Sequence, residues 1–243
     1  MRFKAFPAAG LVLALAILAA LPMACAPRPD NTADKAAATE TKEPALVRFV
    51  NATVYTQPVD VYVDETKVLP EVSRDRVTDY SEWDADRHKI ELRVAGAAAP
   101  AASNSESLNA QERYTVVGFT KADGTPGIAV FNDSDARPDA GKARIRLIHV
   151  ADGAAELGVY PSGAKDSLLD GVNYSDESSA DVDPGPRALE IRKQGEKVVA
   201  LKIPELSLEA GKIYTIVIAA DQDRKLRAIQ VDDTGGVQQG AIR

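Results

Sequence analysis

A single cysteine, Cys25, leaves the chain no intramolecular disulfide, although small exported domains often depend on one. Histidine is nearly as scarce. His88 and His149 are the only two, too few for a dedicated zinc site, which takes three or four His, Cys or carboxylate ligands. There is no Gly-x-Ser-x-Gly elbow and no second thiol, so the usual partners of nucleophilic catalysis are missing and the chain reads as non-enzymatic. Positive charge is short too. The formal net charge is −7, aromatics make up 5%, and no Lys/Arg stripe is interleaved with them, which excludes nucleic acid as a partner because an acidic surface repels phosphates. No apolar run reaches the roughly 20 residues of a transmembrane helix; the one at Ala8 to Leu21 has 14.

That short run has a place of its own. Arg2 and Lys4 precede it, and small residues and Cys25 follow, which is the anatomy of a secretory signal over residues 1–24. Leu21-Pro22-Met23-Ala24-Cys25 resembles a bacterial lipobox, with the leucine one place early and Pro22 in its usual position. The alternative, ordinary cleavage after Ala26, would put Pro27 directly behind the cut. On the lipobox reading Cys25 is the lipidation site and the membrane is a partner through that anchor. Ala26 is unlike the aspartate that retains lipoproteins in an inner membrane, so the resemblance implies an exported protein anchored to the cell envelope at the outer membrane. Loss of Arg2 and Lys4 takes the formal charge from −7 to −9. Residues 25–44, rich in Ala, Thr, Asp, Lys, Glu and Pro, cannot bury enough apolar surface to offset their ordering entropy and read as a flexible tether.

Beyond the tether the chain repeats itself. Leu46-Val47-Arg48-Phe49-Val50 returns as Arg144-Ile145-Arg146-Leu147-Ile148, Ile90-Glu91-Leu92-Arg93 as Leu189-Glu190-Ile191-Arg192, and Tyr114-Thr115-Val116-Val117 as Tyr214-Thr215-Ile216-Val217. The offsets are 98, 99 and 100 residues (48 to 146, 93 to 192, 114 to 214), the mark of a duplicated structural unit. Within each copy apolar and polar residues alternate with a period of two, as at Val59, Val61 and Val63, and turn residues punctuate the runs. The fold class expected is all-β: two tandem antiparallel β-sandwich domains of immunoglobulin-like kind, at 45–135 and 142–233, with a disordered tail at 234–243. The link around Asn132 to Gly141 is short enough to keep the two close. Ala95 to Ser107, rich in Ala, Ser and Pro, reads as a mobile hairpin loop in the first copy only.

Val47-Arg48-Phe49-Val50-Asn51-Ala52, followed by Pro58-Val59-Asp60-Val61-Tyr62-Val63-Asp64, resembles the opening of the DUF4397 family. Arg144 to Val150 and Glu209-Ala210-Gly211-Lys212-Ile213-Tyr214-Thr215 match the same pattern in the second copy. It departs at Glu156-Leu157-Gly158-Val159-Tyr160, so a surface made by Tyr62 and Asp64 is not expected twice. The resemblance implies two tandem copies of an exported bacterial β-sandwich with no assigned chemistry and no cofactor. Paired envelope sandwiches of this kind also resemble the periplasmic accessory protein of alginate O-acetylation.

Few residues stand out as a site. Asp176, Glu177, Asp181 and Asp183, and the pair Asp84 and Asp86, lack the spacing of an EF-hand and read as solvated turns, so no metal is expected. His149, ending a strand where the first copy has Asn51, reads as a polar residue bonding a neighbouring turn. Tyr62, Tyr80 and Trp83 are the candidates for contact with a glycan or a partner, since aromatic rings stack and nearby carboxylates accept sugar hydroxyls; the competing reading makes Trp83 the core plug of the first sandwich. The function expected is a binding or scaffolding module that meets an envelope protein or polysaccharide, with an accessory or carbohydrate-binding role in exopolysaccharide assembly or modification as the alternative.

Overall fold

The computed structural model describes residues 43–133, 137–232 and 238–242. Cys25, the signal segment and most of the tether lie outside them. The regular structure of the described residues is all β. The first half contains β1 (Ala45–Ala52), β2 (Val59–Val63), β3 (Thr66–Val72), β4 (Ser81–Trp83), β5 (Arg87–Val94), β6 (Ala102–Ser107), β7 (Arg113–Thr120) and β8 (Pro126–Asn132). The second contains β9 (Ala143–His149), β10 (Leu157–Pro161), β11 (Leu169–Val172), β12 (Asp176–Val182), β13 (Gly185–Lys193), β14 (Val199–Leu208), β15 (Ile213–Ala220), β16 (Leu226–Asp232) and β17 (Gln238–Ile242).

The two halves share one plan. Sheets β4-β1-β7-β8 and β3-β2-β5-β6 form the first sandwich; β12-β9-β15-β16-β17 and β11-β10-β13-β14 form the second, so every strand of the first has its counterpart eight strands later. The duplication seen in the sequence is therefore a duplication of topology. The sheets are antiparallel apart from one parallel pairing in each half, β1 with β7 and β9 with β15.

Alternation decides which way each residue points. On β1, Ala45, Val47 and Phe49 enter a core with Val59, Val61, Ile90 and Leu92 from the facing sheet. Ile145, Leu147, Leu157, Val159, Leu189 and Ile191 do the same in the second half. The opposite faces are apolar as well. Val50, Ala52, Val117, Phe119, Ala129 and Phe131 of the first sandwich pack on Ile148, Val150, Val217, Ala219, Ile229 and Val231 of the second. The molecule is thus four sheets deep, and the two inner sheets are buried on both faces. That is why β1 and β15 read as near-continuous apolar runs rather than strict alternations.

Close packing leaves a signature in the first core. Gly118 on β7 lies under Phe49, and a Cβ there would come within 2.9 Å of the ring. At the matching places in the second half stand Leu147 and Ile218, both fully buried, so a large-small pair has been exchanged for two medium residues.

Three expectations change. Ala95 to Ser107 is not all loop: its second half is β6, paired along its length with β5. Its small polar residues hide the strand because only alternate side chains are partly covered at this sheet edge. The acidic stretch from Asp176 is not a turn but strand β12, antiparallel to β9. Part of the tail expected to be disordered, residues 238–242, forms β17 on the open edge of β16; the rest of it lies outside the described residues.

Candidate functional site

Both histidines are held by their surroundings, in opposite ways. His149 is fully buried; its Nδ1 accepts the Ala151 amide at 3.2 Å and its Nε2 donates to the Ala155 carbonyl at 3.3 Å. Asn51, its counterpart, accepts the Thr53 amide through Oδ1 and donates to the Val72 carbonyl. Both side chains therefore tie a strand end to the next turn, and burial holds the His149 pKa below its ordinary value of 6.5. His88 faces two acceptors, the Asp64 carboxylate at 2.6 Å and the Asp84 carbonyl at 2.8 Å. Burial opposes its charge, but those two acceptors outweigh it and raise its pKa. Asp64 also caps the Lys89 amide and sits with Glu65 at positive φ (47° and 69°) in the tight turn from β2 to β3.

Tyr62 lies on the outer face of the first sandwich. Arg93 stacks on its ring at 3.9 Å and Lys67 reaches it at 5.6 Å, while Glu91 beside it is buried between Arg93 and Lys89. Those two cations hold the Glu91 carboxyl below the usual carboxylate range. The second half contains the same set: Tyr160 carries Arg192 at 4.4 Å, Arg192 pairs with Glu190, and the Tyr-Glu cross-strand pairing recurs as Tyr62 with Glu91 and Tyr160 with Glu190. The expectation that the tyrosine surface is unrepeated is corrected. The strand register aligns Tyr160 with Tyr62 although the residues around it differ, and the contacts of Asp60, Asp64, Lys67 and Lys89 have no counterparts.

Trp83 is a core residue, 7% exposed, with its Nε1 donating to Ser81 at 3.0 Å. Little of it is left to meet a ligand. Tyr80 belongs to a seam between the sandwiches: its ring lies between the guanidinium groups of Arg48 and Arg113, at 4.9 and 4.4 Å, and its hydroxyl donates to Asp133 at 2.8 Å. Asp133 gathers the seam. It accepts Thr115 at 2.5 Å, pairs with Arg48 at 3.5 Å and with Arg146, and Arg146 pairs in turn with Glu177. Arg48 and Arg146 occupy equivalent positions, so each sandwich lends one arginine to a single carboxylate. At the other end of the interface Arg227 of β16 pairs with Asp75 and donates to the carbonyls of Ala52 and Thr53. The lone charges inside otherwise apolar strands were the sequence signal for this seam, unreadable without knowing that a second sheet covers them.

Two of the other acidic groups have cations of their own, while Asp86 and Asp176 accept the backbone amides of Arg87 and Glu177. Asp181 meets Arg144 and Asp183 meets Lys142, both at 2.7 Å, and no cluster fit for a metal occurs among the described residues. Two of the cavities among the described residues have room for a small group. One of about 370 Å³ runs along β3, by Leu69, Glu71, Ser73 and Arg76. The other, about 330 Å³, opens at the mouth of the second sandwich between β14, β15 and β16, lined by Glu205, Ser207, Glu209, Tyr214 and Gln230 together with Leu206, Thr215, Ile216 and Val231.

Residues 45–160, the whole first sandwich with β9 and nearly all of β10, match the family described as Domain of unknown function (DUF4397). No curated protein matches the chain. Among solved structures it is similar to the C-terminal domain of AlgF from P. aeruginosa, at 16% identity and a TM-score of 0.33 over 38% of this chain and 98% of that one. It is also similar to the Bacillus anthracis TIE protein, at 11% identity and a TM-score of 0.23 over 73% of this chain and 34% of that one, about a third of that protein's length. Neither likeness bears on what this chain binds.

Proposed function

We propose that the chain is a non-catalytic cell-envelope lipoprotein, anchored through Cys25, whose two sandwiches, two copies of one domain, act together as a binding or scaffolding module. The observation that carries this reading is the shared inner core with its arginine seam, which joins the sandwiches into one packed body. Buried charge is used here to fix the pair rather than to activate a substrate, and both histidines serve strand ends and turns. A body of that kind suits presentation of loops and sheet edges at the end of a tether. The accessory, carbohydrate-binding alternative is favoured by one feature, the half-polar cavity at the mouth of the second sandwich. Fractionation tests the anchor: Cys25→Ser should move the protein from membranes to the soluble fraction, and equal membrane association of both forms would refute it. Crosslinking in cells tests the module, since recovery of no envelope component would count against it.

A further inference from the structure

Gln230 brings a polar side chain to a place in the second half where the first half has an apolar one. It is 7% exposed and lines the 330 Å³ cavity, and its carboxamide makes no hydrogen bond with another described residue. Its counterpart in the first half is Val130, which packs on the apolar core. The polar atoms of Gln230 are not sealed from solvent, so the amide gives the cavity a wet, polar floor whose donor and acceptor are unclaimed by the protein and open to whatever enters.

The first sandwich shows what a closed mouth looks like. There Tyr114, 5% exposed, donates to Glu112 at 2.6 Å and accepts the Asn109 amide at 3.0 Å, and Asn132 also donates to Glu112 at 2.7 Å, sealing the end above Leu108. In the second, Tyr214 keeps only main-chain bonds, accepting the Glu209 amide at 3.0 Å and donating to the Ser207 carbonyl at 2.9 Å. Glu205 stands where the first half has Ser105, and the end is open.

We propose that this cavity is a subsite for one neutral glycosyl residue. A sugar ring offers hydroxyls that donate and accept together with an apolar C–H face. The Gln230 amide can both give and take a hydrogen bond at the floor. Glu205, Glu209 and Ser207 at the rim accept hydroxyls, and Leu206, Ile216 and Tyr214 provide apolar wall. An acidic sugar would meet two carboxylates, so the ring it takes carries no carboxylate. The volume lies at the lower end of ligand pockets, which run from about 300 to 1,000 Å³.

The inference rests on the module reading and names its ligand class. The full chain, labelled for NMR, is titrated with glucose, galactose, mannose and N-acetylglucosamine, and with galacturonate as a charged probe. At least one neutral sugar should shift the Gln230 side-chain amide and the backbone amides of Leu206, Ser207 and Tyr214 saturably, with millimolar affinity. Gln230→Val, which installs the first half's residue, should weaken that binding about tenfold or more while the thermal midpoint holds or rises. Absence of response to every neutral sugar overturns the subsite, as does an equal response to galacturonate. A lowered midpoint in Gln230→Val overturns it too, because the amide would then have an internal partner. An envelope protein captured by crosslinking without any sugar response would overturn this inference alone and leave the module reading standing.

Discussion

Asn51 in the first sandwich and His149 in the second end equivalent strands, and each accepts the amide two residues on and donates to a carbonyl farther along. Phe49 over Gly118 becomes Leu147 beside Ile218. Between the sandwiches the exchanges are of another kind. Phe119 opposite Gly127 in the first half becomes Ala219 opposite Arg227 in the second, and Arg227 finds its partners, Asp75 and two carbonyls, in the other sandwich. These two changes inside the cores are compensated within their own half, by volume or by an equivalent hydrogen bond. On the shared face compensation crosses the boundary, so neither copy is complete there by itself.

That contrast can be broken in four places. The largest effect is expected from Arg227→Ala, which takes from the half-buried Asp75 its nearer cation, leaving Arg74 at 3.7 Å, and strips two carbonyls of a donor; loss of one partner of a buried pair costs about 3–5 kcal/mol, and the partial exposure of Asp75 sets the lower end, read from chemical denaturation. A cost below that of an exposed ion pair would show that the two halves are held by the apolar face alone. Next comes Gly118→Ala, which forces a Cβ against Phe49. Overpacking of this kind costs about 1–3 kcal/mol, and the double variant Gly118→Ala with Phe49→Leu, which approaches the second half's solution, should recover part of it.

The third prediction separates the histidines by pH. His149 has a depressed pKa, so its contribution is present above 6.5 and is lost as pH falls below that value, where the unfolded chain binds the proton first. His88 has a raised pKa, so its contribution is present below 6.5 and is lost as pH rises through its folded value. Denaturation midpoints across this range should therefore lose their acid-side fall in His149→Asn, which installs the first half's residue. His88→Asn should lose the alkaline-side fall instead, and the same pH profile for both variants would refute the assignment. The smallest effect compares the outer faces. Tyr62 holds two cations and Tyr160 one, so Tyr62→Leu should cost about 1 kcal/mol and Tyr160→Leu about half of that.

Much of the framework could be read from the chain because period-two alternation and turn residues report local geometry. Val59 to Val63, Ile90 to Val94 and the three offsets near 100 led directly to paired strands and a repeated topology. What escaped is what depends on distant neighbours. β6 has no apolar alternation to show. The acidic run of β12 looked like a solvated turn because its cations, Arg144 and Arg146, lie more than 30 residues away. Tyr160 was missed as the twin of Tyr62 because the match is one of register, not of flanking residues. Arg48, Asp133 and Arg146 become a seam only once two sheets stack, and Gln230 becomes conspicuous only when Val130 is known to be its counterpart.

The parallel pairing of β1 with β7 has a mechanical consequence. A pull on the chain ahead of Ala45 runs lengthwise along β1, an interior strand clamped between β4 and β7. Its ladder to β7, from Leu46 to Ala52, is then loaded in shear, many bonds at once, rather than peeled open one after another. The end at which the chain enters the first sandwich is thereby built to bear tension without unravelling.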